Sequence, residues 1–211
     1  MTTRTATLLA ATALLGLAAR PAAAGEIAVE AHGGYFEMAA ENSASALFDS
    51  TGGPTFGGAV RYNVWRGAFV SAGARTFSRE GERVFVASTS SPVQKLGFPL
   101  SIRLTPILLQ AGYRFRHGHL LVPYVAAGVA ITSYKEESEA AGETFDAEGT
   151  KTGFAGTAGL EVGRGHFRFG AEVGWISAPD AIGIAGVSKV YGDDDLGGTV
   201  ITPLNVISVK D

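Results

Sequence analysis

The sequence contains no cysteine. That excludes a disulfide framework, a thiolate metal site and a cysteine nucleophile. Charge is scarce too: 18% of the 211 residues are Asp, Glu, Lys or Arg, against roughly 25% in an average globular domain. A disordered chain needs the reverse, high charge with low hydrophobicity, and 46% of this chain is hydrophobic. A formal net charge of -3 leaves no basic excess to attract nucleic acid. Past the first two dozen residues no stretch approaches the roughly 18 uncharged apolar residues of a transmembrane helix. Phosphate-loop (Gly-x-x-x-x-Gly-Lys-Ser/Thr) and nucleophile-elbow (Gly-x-Ser-x-Gly) sequences are missing. Glycine is abundant, at 29 residues, but without the Gly-X-Y period of collagen. The length suits one domain with a packed interior.

The first 24 residues have the form of an export signal. Arg4 precedes an apolar run over 5–19, and small residues follow, with Ala22-x-Ala24 suited to cleavage before Gly25. The run is shorter than the roughly 20 residues that span a bilayer. The expected domains are therefore a signal peptide, 1–24, and a mature domain, 25–211. Losing Arg4 and Arg20 leaves 15 basic and 20 acidic residues, a formal charge of -5.

The mature chain alternates with a period of two, which sorts residues to opposite faces of a sheet. Ile27, Val29, Ala31, Gly33 and Tyr35 oppose Ala28, Glu30, His32 and Gly34. Phe56 to Val64 and Ala68 to Ala74 behave alike, with Arg61, Phe69 and Arg75 on the second face. Ile107, Leu109, Ala111, Tyr113 and Phe115 oppose Leu108, Gln110, Gly112 and Arg114. The segment 120–134 is apolar on both faces, so its facing stays open. Phe154 to Val162 oppose Thr157 and Glu161; Phe167 to Trp175 oppose His166, Arg168 and Glu172; 198–209 is weakly periodic. Eight such segments are joined alternately by tight and long connections. The tight ones are Trp65-Arg66-Gly67, Arg116-His117-Gly118-His119 and Gly163-Arg164-Gly165, hairpin turns rich in Gly. The long ones cover about 37–53, 79–97, 135–151 and 178–197. An even strand count with short turns at one end and long loops at the other is the arrangement of bacterial transmembrane barrels.

On these features the mature chain resembles the small eight-stranded outer-membrane barrels of the OmpA/OmpX kind. The resemblance implies an all-β, antiparallel, up-and-down transmembrane barrel in a Gram-negative outer membrane. Outer-membrane lipids and the barrel-insertion machinery are the implied partners, and a monomer is the working expectation. One departure stands out. Such barrels usually end on an aromatic residue, whereas this chain ends Asn205-Val-Ile-Ser-Val-Lys-Asp211.

A strand crosses a bilayer in about 9–11 residues and must close into a barrel there, because lipid offers no partner to backbone groups. Tyr35, Tyr62, Trp65, Tyr113, Phe115, Phe167 and Trp175 lie near strand ends, where interfacial aromatics belong. Glu30, Arg61, Arg75, Arg114, Glu161, Arg168 and Glu172 fall on the opposite face and are expected inside, since charge facing lipid is costly. Eight strands leave an interior just wide enough for side chains, so these groups should pair as a polar plug, with inward Gly and Ala making room. His32 and His166 belong to the same interior.

The remaining candidates read as structural. His117 and His119 form an H-x-H pair with no third metal ligand near in sequence. Asp193-Asp-Asp195 lacks calcium-loop spacing. Glu136, Glu137, Glu139, Glu143, Asp146 and Glu148 read as a solvated acidic run. Ser101, Ser133 and Ser177 stand in no nucleophile motif, so no catalytic residue, metal or cofactor is assigned. The leading expectation is a non-enzymatic barrel with external loops, serving envelope integrity, adhesion or surface contact. Alternatives are an OmpW-like conduit for small apolar solutes, past Phe69, Leu108 and 120–131; a lipid-modifying barrel enzyme; and a soluble lipocalin-like barrel with its apolar face inside.

Overall fold

A computed structural model describes residues 25–85, 92–115, 121–140, 142–164, 167–179 and 197–210. Eight antiparallel strands form a closed ring in chain order: β1 (Ile27–Met38), β2 (Gly52–Trp65), β3 (Ala68–Phe85), β4 (Gln94–Arg114), β5 (Leu121–Ala140), β6 (Glu143–Arg164), β7 (Phe167–Ile176) and β8 (Gly198–Lys210). β1 pairs with β8 to close it. One helix, α1 (Glu41–Phe48), lies between β1 and β2. Closure pairs each strand on both sides within the ring; above it β3 past Phe77 has no ladder to β2, and β6 before Ala155 has none to β7.

The β2–β3 connection shows how the tight end is made. Trp65 pairs with Ala68, so the turn is Arg66-Gly67. Both have positive φ, 44° and 99°, the type I′ pattern that matches the twist of the flanking strands. A side chain on Gly67 would also come within 2.5 Å of the Arg114 carbonyl oxygen.

The long connections differ from expectation. In place of loops over 79–97 and 135–151, β3 and β4 continue to Phe85 and from Gln94, and β5 and β6 run to Ala140 and from Glu143. The connection 37–53 contains α1. The physical reason lies in the phase of the alternation. On β4 the outward residues are Tyr113, Ala111, Leu109 and Ile107, then Thr105, Arg103 and Ser101. The inward residues are Arg114, Gly112, Gln110 and Leu108, then Leu104, Ile102 and Leu100, the last three almost fully buried. β5 switches likewise, from outward Val125 and Val129 to Ser133, Lys135 and Glu137. Apolar residues thus face out in the lower half and in in the upper half. A strand template with one apolar face loses its match where the phase inverts.

The inversion builds two interiors. The upper one is apolar: Phe36, Met38, Phe77, Leu100, Ile102, Leu104, Tyr134 and Val200 pack together, and α1 closes the mouth with Ala44, Leu47 and Phe48. Below it Leu108, Ala130, Ala155 and Ile176 form a thin apolar layer. The lower interior is polar. The facing of β5, open in the sequence, is now clear: Tyr124, Ala130, Thr132, Tyr134 and Glu136 are buried inside. Glu136 therefore leaves the solvated acidic run, at 1% exposure; Glu137, Glu139, Glu143, Asp146 and Glu148 are exposed.

Large inward side chains are accommodated by glycine on the neighbouring strand. Tyr124 pairs with Gly159, and Phe69 with Gly112. A Cβ on Gly159 would lie 2.4 Å from the Tyr124 ring, and one on Gly112 2.4 Å from Phe69 Cζ. Gly159 and Gly112 are the room for these rings.

Candidate functional site

The most structured chemistry is the polar lower interior. It is positioned by period-two alternation on all eight strands. Glu161 on β6 is its centre and is fully buried. Arg61 Nη1 donates to Glu161 Oε1 at 2.6 Å, and Arg114 Nη2 donates to Oε2 at 2.8 Å. Arg168 Nη1 stands 3.6 Å from Oε2. Arg61 also reaches Glu30 Oε1 at 3.1 Å, and His32 Nε2 lies 3.2 Å from Glu30 Oε2.

A second knot lies beside the first. Arg75 Nη2 pairs with Glu172 Oε1, and Arg75 Nη1 donates to Thr202 Oγ1 at 3.1 Å. The Tyr124 hydroxyl donates to Glu172 Oε2 at 2.6 Å. At the short-turn end Arg168 Nη2 donates to Glu26 Oε1 at 3.2 Å, and Asn63 Nδ2 to Glu26 Oε2 at 3.0 Å. The Arg61 guanidinium lies 5.3 Å from the Phe69 ring centre and 5.9 Å from that of Tyr124.

All seven sequence-designated charges, Glu30, Arg61, Arg75, Arg114, Glu161, Arg168 and Glu172, meet in this network. Four carboxylates, with Glu26, face four guanidiniums, so the network carries no formal charge apart from His32. That balance has a physical origin. A buried ion without a partner keeps its desolvation penalty uncompensated, several kcal/mol by order of magnitude. Sequence reasoning missed Glu26, Asn63, Tyr124 and Thr202. Asn63 shares the parity of Arg61 and could have been found. Tyr124 sat on the strand of ambiguous facing, and only its pairing with Arg114 places it inside.

The interior is closely filled. A cavity of about 30 Å³ is lined by Glu30, His32, Arg61, Arg75, Tyr124 and Glu172 among others; one of about 10 Å³ lies higher, among Phe36, Phe77, Leu104, Pro106 and Ile176. A single water needs a cavity of about 10–15 Å³, so the lower one has room for about two waters and the upper for at most one. Phe69 and Leu108 are buried inside the barrel.

The seven designated aromatics all stand on the outer surface. Tyr62, Trp65, Tyr113, Phe115 and Phe167 ring the short-turn end, and Tyr35 and Trp175 lie toward the other. Tyr113 and Phe115 meet edge to face, ring centres 5.3 Å apart. Phe154, 71% exposed, and Phe56 join the upper group; the sequence reading had assigned them only to a strand face. Between the two rings the outer surface is Val29, Val60, Val70, Leu109, Val125, Val129, Leu160 and Val173.

Ser101 and Ser133 face outward on β4 and β5 while His32 faces the interior, which separates them. His117, His119, His166 and Asp193-Asp-Asp195 lie outside the described residues.

The sequence matches the family model described as outer membrane protein beta-barrel domain over residues 9–181. No curated protein matches it. Among solved structures it is similar to the outer membrane protein OprG from Pseudomonas aeruginosa, at 14% identity and a TM-score of 0.52, covering 88% of this chain and 93% of that one. It is also similar to Ail, the attachment invasion locus protein of Yersinia pestis, in complex with the heparin analogue sucrose octasulfate. There the identity is 13% and the TM-score 0.51, covering 87% of this chain and 97% of that one. At these identities the likeness is one of fold.

Proposed function

Because the chain belongs to the outer membrane protein beta-barrel domain family, we propose that it is a sealed, non-enzymatic outer-membrane anchor that presents a rigid sheet for surface contact. Export would follow from residues 1–24, with the long-connection end outside the cell. The observation that carries this reading is the extension of β3, β4, β5 and β6 beyond the apolar band. Outward apolar residues on β4 end at Ile107, yet the strand begins at Gln94. The thirteen residues between, 94–106, span roughly 40 Å along the strand at 3.3 Å each. Their outward face is polar, and the extension has its own apolar core under α1. Such a sheet is stiff and solvated, the form in which a binding surface is held out from a scaffold. Ail, a barrel of the same fold, was crystallised with a heparin analogue. A polyanion does not suit the acidic extension here, with its exposed Glu137, Glu139, Glu143, Asp146 and Glu148.

The sealing of the barrel also supports an anchor over a conduit. A polar plug below and an apolar core above present opposite barriers to any one solute.

The test uses the absence of native cysteine. Thr144→Cys in the full chain should react with a membrane-impermeant maleimide on intact cells, and Arg66→Cys only after lysis. Replacing 136–148 by a short turn should abolish attachment of expressing cells while the barrel still shifts on heating in a gel. Unchanged attachment would overturn the contact role. Conductance or solute uptake that disappears in Phe69→Ala or Leu108→Ala would replace it with the conduit reading.

A further inference from the structure

The apolar side of the extension outruns its lid. On β4 the alternation Leu104, Ile102, Leu100 continues to Phe98 and Leu96. Leu100 is 2% exposed, whereas Phe98 is 36% and Leu96 48% exposed. The change falls where α1 ends. Leu47 and Phe48 of α1 lie against β3 at Gly81, and Gly81 pairs with Leu100. Past that row Phe85, at the end of β3, and Val93, just before β4, are exposed as well. Phe145 on β6 is exposed at the same height, since it pairs with Ser138 and Ser138 with Leu100. Among the described residues these five are the exposed large apolar side chains of the extension, and all stand at its far end. An apolar patch held out into water marks a contact site.

Three observations choose the occupant. The first is distance. From Ile107 to Leu96 the strand rises about 36 Å at 3.3 Å per residue, or about 28 Å of height at a tilt near 40°. The headgroup layer is about 5–8 Å deep on each side, so the barrel's own membrane ends far below the patch. The second is area. The five residues are between 36% and 55% exposed and together present on the order of 400 Å². A standard protein interface takes about 800 Å² from each partner, so the patch is too small for a stable dimer of this chain. The third is charge. From Arg83 to Phe98 the sequence holds two cations, Arg83 and Lys95, and no acid. Lys95 is held by Asp49 at 2.5 Å, but the Arg83 guanidinium lies over the Phe145 ring, 5.8 Å from its centre.

We infer that the far end of the β3–β4 hairpin, Phe85, Val93, Leu96 and Phe98 with Arg83 behind them, docks on the surface of an opposing phospholipid bilayer. A bilayer accepts apolar side chains one at a time and asks for no complementary shape, so a small patch is sufficient. Rings and aliphatic groups settle at the edge of the hydrocarbon. Arg83 then stands level with the phosphates, which its guanidinium binds in pairs. The exposed acids of β5 and β6, Glu137, Glu139, Asp146 and Glu148, oppose a strongly anionic surface, so the fitting lipid is zwitterionic. The inference gives the proposed surface contact a partner class, and it rests on that reading for the outward placement of this end. Vesicle binding is measured without cells, so its failure is distinct from a failure of the orientation.

The experiment is flotation of the mature barrel, held in phosphatidylcholine nanodiscs, with phosphatidylcholine vesicles on a density gradient; nanodiscs without protein set the background. The parent should float with the vesicles, and the binding should persist in 0.5 M NaCl, because burial of apolar surface is not screened. Leu96→Ser and Phe98→Ser should each lower the bound fraction by about five- to tenfold. Phe98→Leu, which keeps the apolar surface, should stay within about twofold, and Glu137→Gln should change nothing. Each variant is first shown to shift on heating in a gel. The chain has no cysteine, so Gln94→Cys carries a single environment-sensitive fluorophore in an otherwise unchanged patch. Its emission should move to the blue when vesicles are added, while that of Ser78→Cys, low on β3, should not. This second reading decides the matter if the serine variants do not fold. A parent that neither floats nor shifts, or binding untouched by both serine variants, overturns the inference. Nanodiscs that pair with one another without vesicles, through the same residues, overturn it in favour of a second copy. Attachment of expressing cells that the serine variants weaken, while vesicles stay unbound, overturns it in favour of a protein partner.

Discussion

The sharpest perturbation is Glu161→Gln, which keeps the shape and an acceptor oxygen but removes the charge at the centre of the plug. Three guanidiniums converge on this carboxylate, at 2.6, 2.8 and 3.6 Å. At an effective dielectric near 20, each charge pair at about 4 Å is worth about 4 kcal/mol before desolvation is subtracted. The loss is unevenly shared. Arg61 keeps Glu30 at 3.1 Å and Arg168 keeps Glu26 at 3.2 Å, whereas Arg114 loses the carboxylate it pairs with at 2.8 Å. Removing one partner of a buried pair costs about 3–5 kcal/mol, and here the cost falls mainly on Arg114. Glu161→Gln should therefore destabilise the folded barrel by about that amount. Urea titration in detergent micelles reads it, through Trp65 and Trp175, both on the outer surface. Adding Arg114→Gln should restore a large part of the loss, because the stranded cation is gone. A single-variant cost below about 1 kcal/mol, or a double variant worse than either single, would refute the idea that paired charge holds the plug together.

Further expectations concern the inversion and the close packing. Val129→Arg, in the outward apolar band, should cost about 2–4 kcal/mol, while Ser133→Arg, one turn of the pleat past the inversion, should cost about 0–1 kcal/mol; equal costs would misplace the membrane boundary. Leu104→Ala should cost about 2–5 kcal/mol as a core truncation, whereas Leu109→Ala, on the outer surface of the same strand, should cost far less in micelles. Gly159→Ala should block folding in band-shift gels by driving a Cβ into Tyr124, and Tyr124→Ala in the same chain should restore it. Gly67→Ala should slow hairpin closure and lower stability by about 1–2 kcal/mol, since φ of 99° disfavours any side chain.

The membrane half of the barrel was legible residue by residue. Arg61, Arg75, Glu161, Arg168 and Glu172 could be sent inward because each sits opposite a run of apolar residues on its own strand, and lipid tolerates little else on the outside. The upper half was not legible by the same rule. From Thr105 and Ser133 onward the outward face is polar, and the strands resemble loops to a reader expecting apolar residues there. Glu136 shows the consequence: in sequence it is one acid of a run, and only the pairing of β5 with β4 and β6 turns it into the interior. The lid α1 was hidden for a different reason. Eight residues rich in Ala and Ser carry a weak helical signal alone, and their apolar side is explained only by the mouth they cover.

From sequence alone came the strand count, the sorting of short and long connections to opposite ends, and which charges share a face, because each depends on local alternation and on residues adjacent in the chain. The tertiary structure decided which acid meets which arginine, how far the strands continue past the apolar band, and that the described interior is filled by two layers of opposite polarity. Those outcomes depend on register around a closed ring. Arg61 and Glu161 are 100 residues apart, and nothing short of closure brings a pair so distant in the chain to 2.6 Å.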